Sequence, residues 1–187
     1  MALGKGVDKW KAKKWFNIYA PELLGGATIG EMPASEEKTA MGRIIKVSMS
    51  WITNKPAHSF LVVGLRVVDA TGGAAHTELA YIEQTYSYIH SLVRRGNSII
   101  YTVDKLKDKD GRNFVLKLVM TTASKITAEK KKALRKEMES FAREYAESRS
   151  VNDVVKEILE GSFHSEGVKR VKNIAEISKL ELKRLQL

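Results

Sequence analysis

Residues 125–145 read KITAEKKKALRKEMESFAREY, and they set what the rest of the chain must provide. Leu134, Met138, Phe141 and Tyr145 recur at helical spacing and line one face. At roughly 100° per residue, Lys132, Arg135, Lys136 and Arg143 fall on the other side. Thr127 stands at the capping position, and Glu129 sits in the first turn, where the helix dipole favours negative charge. One face therefore docks on a core and the other offers positive charge. A solvated face is the ordinary explanation of such a helix. Residues 125–136, however, hold six cations (Lys125, Lys130, Lys131, Lys132, Arg135 and Lys136) against one carboxylate, Glu129, a surplus of five. Too few acids lie nearby to pair them all, which points to an anionic partner.

Working outward, the sequence just before this helix supplies the core. In residues 99–121, Ile99, Tyr101 and Val103 alternate with polar or smaller neighbours as the apolar set of one strand. A turn at residues 108–111 follows. Phe114, Leu116, Leu118 and Met120 then point one way, with Lys117 and Thr121 the other. Residues 85–95 read as a short inserted helix stopped by Gly96. Further back, a strand is expected near residues 77–83. Residues 60–68 are nearly continuously apolar, as in a strand covered on both faces, with Gly64 marking a bulge or close packing. In residues 42–51, Ile45, Val47, Met49 and Trp51 alternate with Lys46, Ser48 and Ser50, again at strand period. The expected sheet is antiparallel with at least five strands.

Residues 25–30, GGATIG, have the Gly-x-x-x-x-Gly spacing of a phosphate loop, but Glu31 stands where lysine is required. They are read as a flexible turn, continued by a polar loop over 32–38. The N-terminal arm carries Lys5, Lys9, Lys11, Lys13 and Lys14 against Asp8, a surplus of four in residues 1–14. Trp10, Trp15, Phe16 and Tyr19 are interleaved with them, a mixture suited to phosphates and stacked rings. Trp15, Phe16 and Ile18 are expected to fold back on the core.

Downstream, Ser150 opens a helix with Val151, Val154, Val155, Ile158 and Leu159 inward, closed by Gly161. A third helix over 162–174 buries Phe163, Val168, Val171 and Ile174, though Gly167 weakens it. Lys169, Arg170 and Lys172 form a further basic patch. Residues 176–187 suit a strand returning to the sheet. The organisation is thus a basic aromatic arm (1–21), a β core (22–124), a helical region (125–175) and a terminal strand (176–187).

With 32 Lys plus Arg against 22 Asp plus Glu, the net charge is +10 over 187 residues, which favours polyanionic partners. Cysteine is absent, excluding disulfides and thiolate metal sites. His58, His76, His90 and His164 are too far apart in sequence for a helical metal pair. No Gly-x-Ser-x-Gly elbow is present, and the carboxylates lie mostly beside lysines. Nothing nominates a catalytic site, a metal site or a cofactor. No run approaches the roughly 18 apolar residues of a membrane span, and no signal-peptide core follows the N-terminus. A soluble, intracellular protein that meets a polyanion is expected, and charge alone does not separate RNA from DNA. A freestanding nucleic-acid chaperone or regulator with this basic surface is one reading.

The segment 14–21, KWFNIYAP, followed by Ile29-Gly30, resembles the opening of the archaeal and eukaryotic small-subunit ribosomal protein family called eS-one (S-three-A-e in older usage). Residues 42–48, GRIIKVS, resemble its first core strand. The turn at Asp110-Gly111, the passage TTASK (121–125) into a basic helix, VNDVVKEI (151–158) and the charged last strand keep the family's order. The chain lacks the longer termini of eukaryotic members and resembles an archaeal form. The resemblance implies a structural component of the small subunit, on the platform near the 3′ end of its rRNA. It also implies neighbouring ribosomal proteins and the mRNA exit close by, no catalytic residues, and an α+β fold with an antiparallel, barrel-like β core, a short inserted helix and C-terminal helices.

Overall fold

The computed structural model describes residue 10 and residues 13–187. Eight strands form one sheet: β1 Lys14–Tyr19, β2 Thr28–Ala34, β3 Ile44–Ser48, β4 Leu61–Thr71, β5 Ala74–Gln84, β6 Ile99–Lys107, β7 Asn113–Thr122 and β8 Ile177–Gln186. Six α-helices among the described residues accompany it: α1 Glu37–Ala40, α2 Met49–Thr53, α3 Tyr86–Ser91, α4 Ala128–Glu147, α5 Val151–Glu160 and α6 Ser162–Val171. No helix among the described residues is long and apolar enough to cross a membrane.

The sheet branches at β5. One side of β5 pairs antiparallel with β4, which carries β3 at the edge. Its other side is shared. Ala74, Ala75 and His76 pair with β1, the one parallel pairing, and Tyr81, Ile82 and Glu83 pair with β8. From there the order runs β8-β7-β6, while β1 carries β2. Barrel closure requires every strand to have two neighbours. Among the described residues β2, β3 and β6 each pair along one side only, so the sheet stays open instead of closing into the expected barrel.

Helices α4, α5 and α6 cover one face of β6–β8. Leu134, Met138, Phe141 and Tyr145 of α4 are buried as their spacing predicts, and the Thr127 hydroxyl accepts a hydrogen bond from the Lys130 N–H at 3.5 Å. Val151, Val154, Val155 and Ile158 of α5 are buried, and Ser150 caps that helix. The β6–β7 turn is fastened to it. Asp108 accepts from the Arg112 N–H at 2.6 Å and from the Val151 N–H at 3.2 Å. Helix α6 runs through Gly167 without a break. A Cβ there would lie 2.5 Å from the Leu180 side chain, so its absence lets α6 press onto β8. Gly64 likewise leaves room for the Tyr81 ring, 2.3 Å from where its Cβ would stand.

Several strand expectations are corrected. On β6 it is Ile100, Thr102, Asp104 and Leu106 that face the helices, whereas Tyr101 and Val103 are 43% and 61% exposed on the other face. The register with β7 decides this. Ile100, Thr102, Asp104 and Leu106 lie opposite Met120, Leu118, Leu116 and Phe114, all of which are buried. β4 is covered mainly on one face, with Val63, Leu65 and Val67 buried and Arg66 and Val68 exposed. β3 stops at Ser48, and Trp51 stands 75% exposed on α2. The polar loop expected from residue 32 begins inside β2, whose Met32 and Ala34 join Phe16 and Ile18 in a second, smaller core. Trp15, expected to fold back on the core, stays exposed.

Candidate nucleic-acid interface

The helix period that buries one side of α4 turns its cations outward. Lys125, Lys130, Lys132, Arg135 and Lys136 are exposed and Lys131 is half-buried. None of these six makes an ion pair among the described residues. Two acids of the same helix are paired elsewhere. Arg170 of α6 holds Glu137 at 2.7 Å and Glu144 at 3.3 Å. Its hydrogen bond to Glu137 and the charges of both acids raise its pKa. One cation expected to meet RNA is thus paired within the protein, and its acids are held away from α4's own lysines. Lys169 and Lys172 are exposed at the end of α6.

The arm is represented by two of its lysines. Lys13 lies over the Trp10 ring at 4.2 Å, and Lys14 is exposed at the start of β1. Lys14 shares a groove with Glu36 and Glu37, which lowers the local positive potential. Lys5, Lys9 and Lys11 fall outside the described residues.

A second basic surface escaped the sequence reading. On the sheet face away from α4, Glu83, Arg184, Lys117 and Val103 stand side by side on neighbouring strands β5, β8, β7 and β6. The Arg184 guanidinium lies 4.3 Å from the Tyr81 ring centre and 3.4 Å from Glu83, and Lys183 lies 4.7 Å from the Tyr101 ring centre. Helix α3 sits at one end of this face, where Ile89 and Leu92 pack on Val119. Its Tyr88 hydroxyl donates to Glu181 at 2.8 Å, and burial with that carboxylate pushes the phenol up to about 12. Between α3 and the strands a cleft of about 480 Å³ opens. The only sequence signal for it was the outward set Lys117 and the alternating charges of 176–187, and the inverted phase of β6 hid both.

The remaining polar groups serve packing. Tyr145 donates to Glu157, which also receives Arg149 Nε at 3.0 Å, tying the end of α4 to α5. Burial, against the opposing charge of Glu181, lowers the pKa of His164. His58 bonds Thr53 at 2.9 Å, while His76 stacks on Tyr19 and His90 lies against Tyr86. No group of three or more potential metal ligands occurs among the described residues.

Fold and surface define an α+β protein that displays charge from a packed scaffold. More particularly, the chain belongs to the Ribosomal S3Ae family, whose model matches residues 2–187. It is 33% identical over 96% of its length to a small ribosomal subunit protein eS1 from Pyrobaculum neutrophilum, covering 81% of that relative. A relative of the same name from Methanoregula boonei is 31% identical over 96% of this chain and 89% of its own. The family and both relatives are named as ribosomal proteins.

Proposed function

We propose that the protein is a structural constituent of the small ribosomal subunit, cytoplasmic and ribosome-bound, that binds rRNA through the outer face of α4. Family membership and the names of the relatives support the ribosomal role. The single observation that carries the RNA contact is the set of six α4-region cations left without an ion pair among the described residues. Each lysine that meets a phosphate releases condensed counterions, a gain that needs no particular base sequence. The packed face of α4 fixes these cations in space, so RNA can lie against them without ordering the helix first. Lys169 and Lys172 extend the contact, as do Lys13 and Lys14 with the rest of the arm: Lys5, Lys9 and Lys11. Trp51 and Phe60, 75% and 50% exposed, suit packing against neighbouring ribosomal proteins.

We infer from the family resemblance a seat on the platform near the 3′ end of the rRNA, with mRNA leaving the subunit as a further neighbour. Sucrose-gradient sedimentation of cell extract tests the assignment. The protein should track the small subunit in near-equal amounts through a moderate salt wash. A pool confined to the top of the gradient would favour a freestanding RNA-binding regulator instead.

A further inference from the structure

We propose that the cleft between α3 and the outer face of β6–β8 holds one unpaired nucleotide of single-stranded RNA. The base would lie against exposed tyrosine rings and its phosphate beside Lys117 and Lys183. This rests on the RNA-binding reading above but concerns a different face of the molecule.

Four observations converge there. The volume, about 480 Å³, lies within the roughly 300–1,000 Å³ of small-ligand sites. Tyr101 and Tyr86, 43% and 77% exposed, both line it. Flat rings left in water beside cations are what a splayed base stacks on. The charge balance favours an anion, with Lys117, Lys183 and Arg184 lining the cleft against one carboxylate, Glu83. That carboxylate is already engaged, 3.4 Å from Arg184 and 4.0 Å from Lys46. Lys117 and Lys183 have no ion pair among the described residues. Finally, Gln84 Oε1, Thr85 Oγ1 and Arg184 Nε are buried without a hydrogen-bond partner among the described residues, and all three residues line this cleft. Buried polar groups are normally satisfied. A turn of these side chains would bring an acceptor, a hydroxyl and an N–H donor to the mixed donors and acceptors of a base edge. An acidic peptide would answer the cations but leave the rings unused, so RNA is the occupant the site favours.

The test uses the full chain and three probes in fluorescence anisotropy: a single-stranded octaribonucleotide, an abasic octamer with the same backbone, and a polyglutamate peptide of matched charge. Tyr101→Ala should weaken the octaribonucleotide about tenfold, the loss of one base–ring stack, and leave the abasic octamer unchanged. Tyr101→Phe should restore binding, and Lys183→Ala should weaken both octamers. Exchanging Lys130, Lys131 and Lys132 for alanine on α4 should weaken both octamers and keep the preference for bases. If Tyr101→Ala and Lys183→Ala bind like the parent while the α4 variant is weakened, the cleft proposal falls and the α4 reading stands. If neither octamer binds the parent, both fall. If polyglutamate binds most tightly and Tyr101→Ala has no effect, the cleft is a peptide site and the proposal is overturned.

Discussion

On α4 the cations stand on an exposed, solvated face, and two of the helix's acids, Glu137 and Glu144, are held by Arg170. On the opposite face of the sheet, Lys117, Lys183 and Arg184 lie in a concavity among tyrosine rings, one of them tied to Glu83. The sign of the charge is the same and the physics differs. Exposed charges act at high dielectric and are screened within about 8 Å at physiological salt. They attract any phosphate backbone and discriminate little. Charges in a cleft feel less solvent, so each contact is stronger, and the rings beside them respond to a flat base. Under the two proposals, one scaffold would offer a salt-sensitive surface for backbone and a smaller site for an unstacked nucleotide.

The largest expected effect breaks both surfaces together. Gly167→Val drives a side chain into Leu180, so α6 must lift from β8 and carry Arg170 away from Glu137 and Glu144. Overpacking of this kind costs about 3 kcal/mol, read as a lowered midpoint in urea unfolding. Arg170→Ala sharpens the contrast more gently. It releases Glu137 and Glu144 to pair with lysines of α4, so RNA affinity should fall several-fold, and by more than after Lys172→Ala. Binding that depends on the cleft should keep its preference for bases, which the octaribonucleotide and abasic octamer report.

The smallest effect is a pH dependence beneath α4. Burial, reinforced by Glu139 and partly offset by Thr102 and Arg143, raises the pKa of Asp104 above the usual carboxylate range. The folded chain therefore holds that proton more tightly than the unfolded chain. Stability falls as pH rises from the ordinary value through the folded one, and the loss persists at neutral pH. Asp104→Asn should unfold later than the parent at neutral pH and match it at acid pH, as thermal melts across that range would show.

Much of this contrast was legible from one side only. The buried stripe of α4, its Thr127 cap, the Ser150 cap and the return of 176–187 to the sheet are local patterns, and each reads directly from residue spacing. Alternation on β6 gave a strand but not its face, because Thr102 and Asp104 lie inward and Tyr101 and Val103 outward. Only the pairing with β7 resolves that. The branching of the sheet at β5 depends on β1 and β8 finding different halves of one strand, which no local pattern encodes. The cationic face of α4 was visible in the sequence. So was its surplus over nearby acids; the hold of Arg170 on Glu137 and Glu144 was not, since Arg170 is 33 residues from Glu137 and 26 from Glu144. The cleft draws on α3 and several strands, and so was invisible until those strands met.

The central claim is that the lysines of α4 are phosphate contacts. The direct measurement is the affinity for small-subunit rRNA across a range of salt concentration, for the parent and for the chain with Lys130, Lys131 and Lys132 all replaced by alanine. Three lost contacts should make the slope of log affinity against log salt shallower by about two to three. A slope equal to the parent's would show that this helix faces something other than RNA.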